Sequence, residues 1–446
     1  MTRRQRRNIR GRAGIACALA AVMTLSACGG GQAQLPQTGT DGGGKPQAAE
    51  KQQPPEPIKL TIFSASGGDA AALQAQYGEP IRQKFPHLTL DFIIPGEGSS
   101  LRDVVTAKTP IDLLFGSTGI YLSTMQEFGL QVDLTEMIRL GKLDLDKVEP
   151  SLIETQRKFG NGAIYGLPVW VATSGLYYNK DLFDKFSVRY PKDGMLWSEL
   201  AALARRLTRS EDGNNYYGYI TSPSTQVNSN QLSLDPIDPK TLKSNFSSDG
   251  WKQIMQSIVD LYMVPGYDVE TATMASSRQR ALFEKEKRVA MYTNFSGGTP
   301  PETMNWDVAT VPYYEGAVGA GPQALTNYWY VTSLSKHQQA AFDVIAFLLS
   351  EEFQRAHNRK GWATVLNNPE LRKEYGQDLD KFRGKNIQAM FPKPAAPMNM
   401  TSYNHLAGTE FQKAFNDIVS NKKDMNTALR DADEQLNKAI RDAQGQ

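Results

Sequence analysis

Apolar positions along this chain fall into short strand-like runs and longer stripes at helical spacing. The run Ile58-Lys59-Leu60-Thr61-Ile62-Phe63 reads as a first strand ending at Ser64-Ala65-Ser66-Gly67-Gly68. A helix to about residue 85 and a strand over 88–94 follow. Ile111-Asp112-Leu113-Leu114-Phe115, stopped by Gly116, has the shape of a buried parallel strand. Helical pieces are expected over 122–128 and 144–159. Trp197, Leu200, Leu203, Ala204 and Leu207 share one helix face, as do Trp251, Ile254, Met255, Ile258, Leu261 and Tyr262. Further strands are expected over 216–221, 289–293, 306–311 and 328–333, a helix over 338–349, and two helices from 405 onward. The last helix carries Leu429, Ala432, Leu436 and Ile440 on one face, behind Asn426 as its cap. Strands alternating with helices predict an α/β fold with mostly parallel sheets.

The amino terminus follows a different rule. Arg3, Arg4, Arg6, Arg7, Arg10 and Arg12 precede a short apolar stretch over 15–28, below the ~20 residues a spanning helix needs. It ends in Leu25-Ser26-Ala27-Cys28, followed by three glycines, which resembles the lipobox of bacterial lipoproteins. That resemblance implies a signal peptide over 1–27 and a lipid, of palmitate type in part, on Cys28. The formal charge of +2 becomes −4 once those six arginines are removed, which argues against nucleic acid as a partner. Residues 29–57 hold seven glycines, five prolines and six glutamines, too little apolar surface to order, so 28–57 reads as the lipidated Cys and a disordered linker. At 446 residues the chain is well beyond one domain of about 150 residues. Two cysteines cannot build a disulfide framework or a thiolate zinc site.

Catalytic motifs are scarce. His87, His337, His357 and His405 stand far apart with no HExxH pair. Gly116-Ser117-Thr118-Gly119 is one residue short of a nucleophile elbow. The glycines of 39–45 are followed by Pro46 where a phosphate loop needs Ser or Thr, and Pro322 sits inside the GxGxxA-like 319–324. The acidic turn 210–215 lacks the alternating oxygens of a calcium loop. No catalytic set, cofactor or metal is expected, and the chain reads as no enzyme. Aromatic residues instead gather at strand ends: Tyr121, Trp170, Phe295, Tyr328 and Trp329. Ligands of open α/β sheets sit beyond the strands' carboxyl ends, and sugar rings pack their C–H faces on aromatic rings.

Tyr165-Gly166-Leu167-Pro168 followed by Gly175-Leu176-Tyr177-Tyr178-Asn179-Lys180-Asp181-Leu182-Phe183 resembles a signature of the extracellular solute-binding proteins of family 1. Trp197-Ser198-Glu199-Leu200, Val289-Ala290-Met291-Tyr292, Trp306-Asp307-Val308-Ala309 with Val311-Pro312, and Ser335-Lys336 are similar to later segments of that family, in order. The helix through Thr427 and Gln435 is similar to its last one. The resemblance implies the two-lobed type II periplasmic-binding-protein fold, with hinge-linked lobes and a central cleft. Lobe 1 would hold 58–170 plus 300–335, and lobe 2 would hold 171–299 plus 336–446. Matching positions place Ser64, Ser66, Gly67, Ser117, Thr118 and Tyr121 at the cleft. Trp170 and Thr173 would line the crossing, and Asn294, Phe295, Tyr328, Trp329 and Tyr403 would complete the site. Ala172 and Gly116 stand where maltose-type members carry an acid and a tryptophan, which points away from a maltodextrin.

The function so implied is a lipid-anchored extracytoplasmic receptor of an ABC importer. It would capture a sugar or oligosaccharide by hinge closure and pass it to permease subunits and their ATPase. It would work as a monomer, held by its lipid to the outer face of the bacterial cytoplasmic membrane. The absence of charged clusters among these cleft positions favours a neutral solute. The alternatives are a receptor of the same class for a polyamine, phosphorylated polyol or peptide, a surface carbohydrate-active enzyme, which needs two placed carboxylates, and a ligand-sensing lipoprotein without a transporter.

Overall fold

Ten strands are found among the described residues: β1 Ile58–Ser64, β2 Leu88–Ile93, β3 Leu113–Ser117, β4 Gly166–Val171, β5 Gly175–Asn179, β6 Arg209–Glu211, β7 Asn214–Ile220, β8 Val289–Asn294, β9 Trp306–Ala309 and β10 Thr326–Val331. The structure, a computed structural model, describes residues 56–119, 125–227, 229–273, 275–294, 298–391 and 399–445. The expected signal peptide, Cys28, the linker as far as residue 55, Tyr121 and Phe295 lie outside the described residues. The helices used below are α1 Pro150–Phe159, α2 Trp197–Leu207, α3 Asp249–Tyr262, α4 Ser276–Glu284, α5 Gln338–Leu348, α6 Glu351–Arg359, α7 Asn404–Val419 and α8 Met425–Ala443.

The strands form two five-stranded sheets, ordered β2-β1-β3-β10-β4 and β6-β7-β8-β5-β9. The expected mostly parallel arrangement is corrected to a mixed one. β1 runs parallel to β2 and β3, and β7 parallel to β8, while β10 is antiparallel to both its neighbours and so is β5. The reason lies in the route of the chain. β5 enters the second sheet directly from β4 of the first, and β10 enters the first after β9 of the second. A strand arriving from the other lobe starts at the shared edge and runs away from it. It therefore opposes strands whose carboxyl ends point toward that edge.

Each sheet has its own core. Leu60, Ile62, Leu113, Phe115, Leu167, Val169, Trp329 and Val331 pack with the helix residues Phe342, Val344, Ile345, Leu348 and Phe353. The other face of this sheet buries Phe63, Leu114, Tyr328 and Tyr330. Around the second sheet, α2, α3, α7 and α8 bury Trp197, Trp251, Phe411, Leu436 and their neighbours. Two expected lobe limits therefore move. β9 pairs with β5, Leu176 opposite Ala309, so 306–309 belongs to the second sheet. α5 and α6 cover the first, because their apolar residues match the face of β4 and β10.

Two acids tie distant segments. Asp112 is buried, its Oδ2 accepting from the Thr61 amide at 2.8 Å and its Oδ1 from the Ser335 hydroxyl at 2.5 Å. From α8, Asp433 accepts from the Ser244 hydroxyl and from the amides of Phe246 and Ser247. The cap of α8 is Asp424, which accepts from the Thr427 amide. Asn426 already stands inside the helix and is corrected as its cap, since a cap needs the extended backbone that Asp424 adopts.

Candidate functional site

Both sheets turn one edge toward three crossing segments. The carboxyl ends of β1, β3 and β4 meet the start of β10 on one side, and those of β7, β8 and β9 meet the start of β5 on the other. The crossings bind one another: the Val171 amide donates to Ala363 O, Ala172 to Leu325 O at 2.7 Å, and Ser174 to Met390 O. β4 is an edge strand, which tolerates Pro168 without a ladder donor. Its register slips between Asn327 opposite Trp170 and Tyr328 opposite Pro168. Such a bulge re-aims the side chains beyond it, here Trp170 at the rim.

Two cavities open along this junction. One, of about 530 Å³, is lined by Thr221, Ser222, Ser224, Thr225, Ser229, Ser276, Ser277 and Thr293, together with Arg280, Tyr292, Asn294 and Leu325. The other, of about 400 Å³, joins Trp170, Val171 and Thr173 to Arg280, Gly298 and Thr299, and to Lys360, Trp362, Tyr375, Lys381 and Phe382. Arg280 belongs to both linings. Burial pushes the Tyr375 phenol up to about 12, with Thr173 beside it pulling the other way, so the hydroxyl stays protonated.

An aromatic corner forms one wall of the second cavity. The rings of Trp170 and Trp362 meet edge to face, 5.1 Å between centroids and 68° between planes. The turn after α6 places Trp362: Gly361 adopts φ +87°, and the Trp362 amide donates back to His357 O. Only glycine takes that backbone without strain. Behind the corner, His357 stacks on Trp362 at 5.6 Å and 9° and on Phe353 at 4.8 Å. Its Nε2 lies 2.9 Å from Gln76 Nε2.

Burial, with a smaller contribution from Lys360, pulls the His357 imidazole down to about 3. The fold thus holds it neutral, whereas the unfolded chain takes a proton below about 6.5. Its contribution is present above that pH and is lost as pH falls toward 3, at up to about 1.4 kcal/mol per unit. Urea unfolding at pH 7 and pH 5 should show the loss, and His357→Gln should flatten it. An equal pH slope in the variant would contradict this assignment.

The chain matches the bacterial extracellular solute-binding protein family over residues 67–355. It belongs to that family. A member binds a solute and does not transform it, so this binding protein is not an enzyme. It is 23% identical over 346 residues to the sn-glycerol-3-phosphate-binding periplasmic protein UgpB of Brucella melitensis, covering 71% of this chain and 77% of that one. Among solved structures it resembles the ABC substrate-binding protein Lmo0181 of Listeria monocytogenes in complex with cycloalternan. That match has a TM-score of 0.70 at 16% identity, over 86% of this chain and 99% of the other. A solute-binding protein of Agrobacterium vitis with bound D-mannitol gives a TM-score of 0.60 at 18% identity, over 86% and 99%. Both likenesses establish the two-lobed fold.

In this binding protein, Trp170, Thr173 and Asn294 line the cavities, Asn294 donating to Gly298 O. Ser66 and Ser117 are exposed at the first sheet's edge, where Ser66 accepts from Asn327, and Gly67 turns there at φ +71°. Ser64 and Thr118 are buried: Ser64 donates to Gly67 O, and Thr118 bridges the backbone of Thr326. Tyr403 precedes α7, outside both linings.

Tyr328 and Trp329 are corrected as cleft residues. Both are 0% exposed. Tyr328 donates to Leu152 O of α1 at 2.8 Å, and Trp329 stacks on Phe115 at 4.8 Å. As interior residues of β10, covered on both faces, they must pack in the core. Trp362 and Arg280 were missed by sequence reasoning. A tryptophan directly after glycine at a helix end was a usable signal for the first.

Among the described residues no cluster of His, Cys, Asp and Glu could hold a metal, and no helix is long and apolar enough to cross a membrane.

Proposed function

We propose that this binding protein is the receptor of an ABC import system and captures a sugar or polyol between its two lobes. The Trp170–Trp362 corner carries this reading. Two indoles at a right angle offer a flat face and an edge for the C–H surface of a sugar, and the serines and threonines opposite offer partners for its hydroxyls. Relatives whose names or structures carry cycloalternan, D-mannitol and sn-glycerol 3-phosphate support a polyhydroxylated solute.

The loaded protein works by closing. A solute touching Trp170 and Trp362 on one lobe and Asn294 and Ser222 on the other favours the state in which both sets reach it, and the crossings supply the hinge. Permease subunits and their ATPase then receive the solute. Export by residues 1–27 and a lipid on Cys28 keep the monomeric receptor at the outer face of the cytoplasmic membrane. The test is thermal melting of the purified protein against a panel of sugars and polyols. One chemical class should raise the midpoint by a few degrees through mass action on the native state. No shift with any member would remove the reading.

A further inference from the structure

We infer that the solute carries an anionic group, a phosphate or carboxylate on the sugar or polyol skeleton, and that Arg280 is its anchor; this rests on the reading above. The charge of the cavities carries the inference. Arg280 lines both, Lys360 and Lys381 line the second, and among the described lining residues there is no aspartate or glutamate. Glu284 balances the Arg280 charge, and Lys360 and Lys381 then leave the lining of the second cavity net positive, which attracts an anion. The sequence favoured a neutral solute because its cleft positions hold no charged cluster, whereas the cavity linings hold three cations.

The guanidinium is also held ready. Glu284, one turn along α4, accepts from Nε at 2.8 Å and steadies the fork. The two terminal nitrogens lie beside Gly298, where a Cβ would stand 3.1 and 3.2 Å from them. Only glycine lets the backbone come this close to the fork, and both residues line the second cavity. As an isolated pair on a helix surface, Arg280 and Glu284 would add only a few tenths of a kcal/mol to stability. A planar fork facing a cavity suits an oxyanion, which it grips through two parallel N–H···O bonds.

The test uses matched pairs in calorimetry with the purified protein: glucose against glucose 6-phosphate and gluconate, glycerol against sn-glycerol 3-phosphate, and mannitol against mannitol 1-phosphate. An anionic member should bind about tenfold or more tighter than its neutral partner. Arg280→Gln should erase that advantage, Arg280→Lys should restore part of it, and salt should weaken it. Melting of each unliganded variant near the parent separates a lost contact from a lost fold. Preference for the phosphate esters assigns a phosphate, and preference for gluconate a carboxylate. Neutral partners binding as tightly, or an undiminished anion preference in Arg280→Gln, would overturn the inference and leave the sugar reading standing. No binding by any member would remove both.

Discussion

Replacing Trp329 with alanine is expected to destabilise the protein by about 3–5 kcal/mol, the cost of emptying a buried indole site. Its ring is 0% exposed, stacked on Phe115 at 11° and met edge-on by Tyr77 at 5.0 Å. Both neighbours lose a partner, and Phe115 cannot move in, because β3 and β10 hold the backbone at fixed spacing. Denaturant unfolding should show the fall in midpoint. The fraction that remains folded should bind its solute nearly as the parent does. An affinity loss with stability unchanged would mean that this indole reaches the ligand after all, contrary to its packing.

Trp170→Ala and Trp362→Ala should do the reverse. Each indole is only partly buried and lines the second cavity. Losing either should weaken solute binding by roughly 10–100-fold, the range for a truncated aromatic anchor. The fall in unfolding midpoint should be smaller than for Trp329. Trp362→Ala should carry the larger stability cost of the two, since its ring also covers His357. Titration calorimetry against the solute found in the panel reads both variants. Parent-like affinity in both would move the binding site out of this cavity.

The contrast among these tryptophans shows where sequence reasoning reached and where it stopped. Trp329 and Trp170 both lie near strand ends in the sequence and looked alike. Their difference comes from the bulge in β4 and from the place of β10 between two neighbours, neither of which a local pattern records. Arg280 was invisible for a similar reason. It is one of two arginines on its helix, beside Arg278, and only the approach of Gly298 and Trp170 makes it a cavity residue. The lobe limits erred for the same cause, since α5 shows an apolar face without saying which sheet it covers.

The strands at 58–64, 88–93 and 289–294 and the helices Trp197–Leu207 and Asp249–Tyr262 were set by the chain's own periodicity. So was the ordered series of short motifs that marks the family. These are short-range properties, written in the spacing of apolar residues and in turn chemistry. Strand direction, the crossings and the meeting of Trp170, Trp362 and Arg280 were decided only by the tertiary structure. They depend on pairings between residues dozens to more than a hundred positions apart. Each such pairing is selected by the fit of whole faces, which no window of sequence contains.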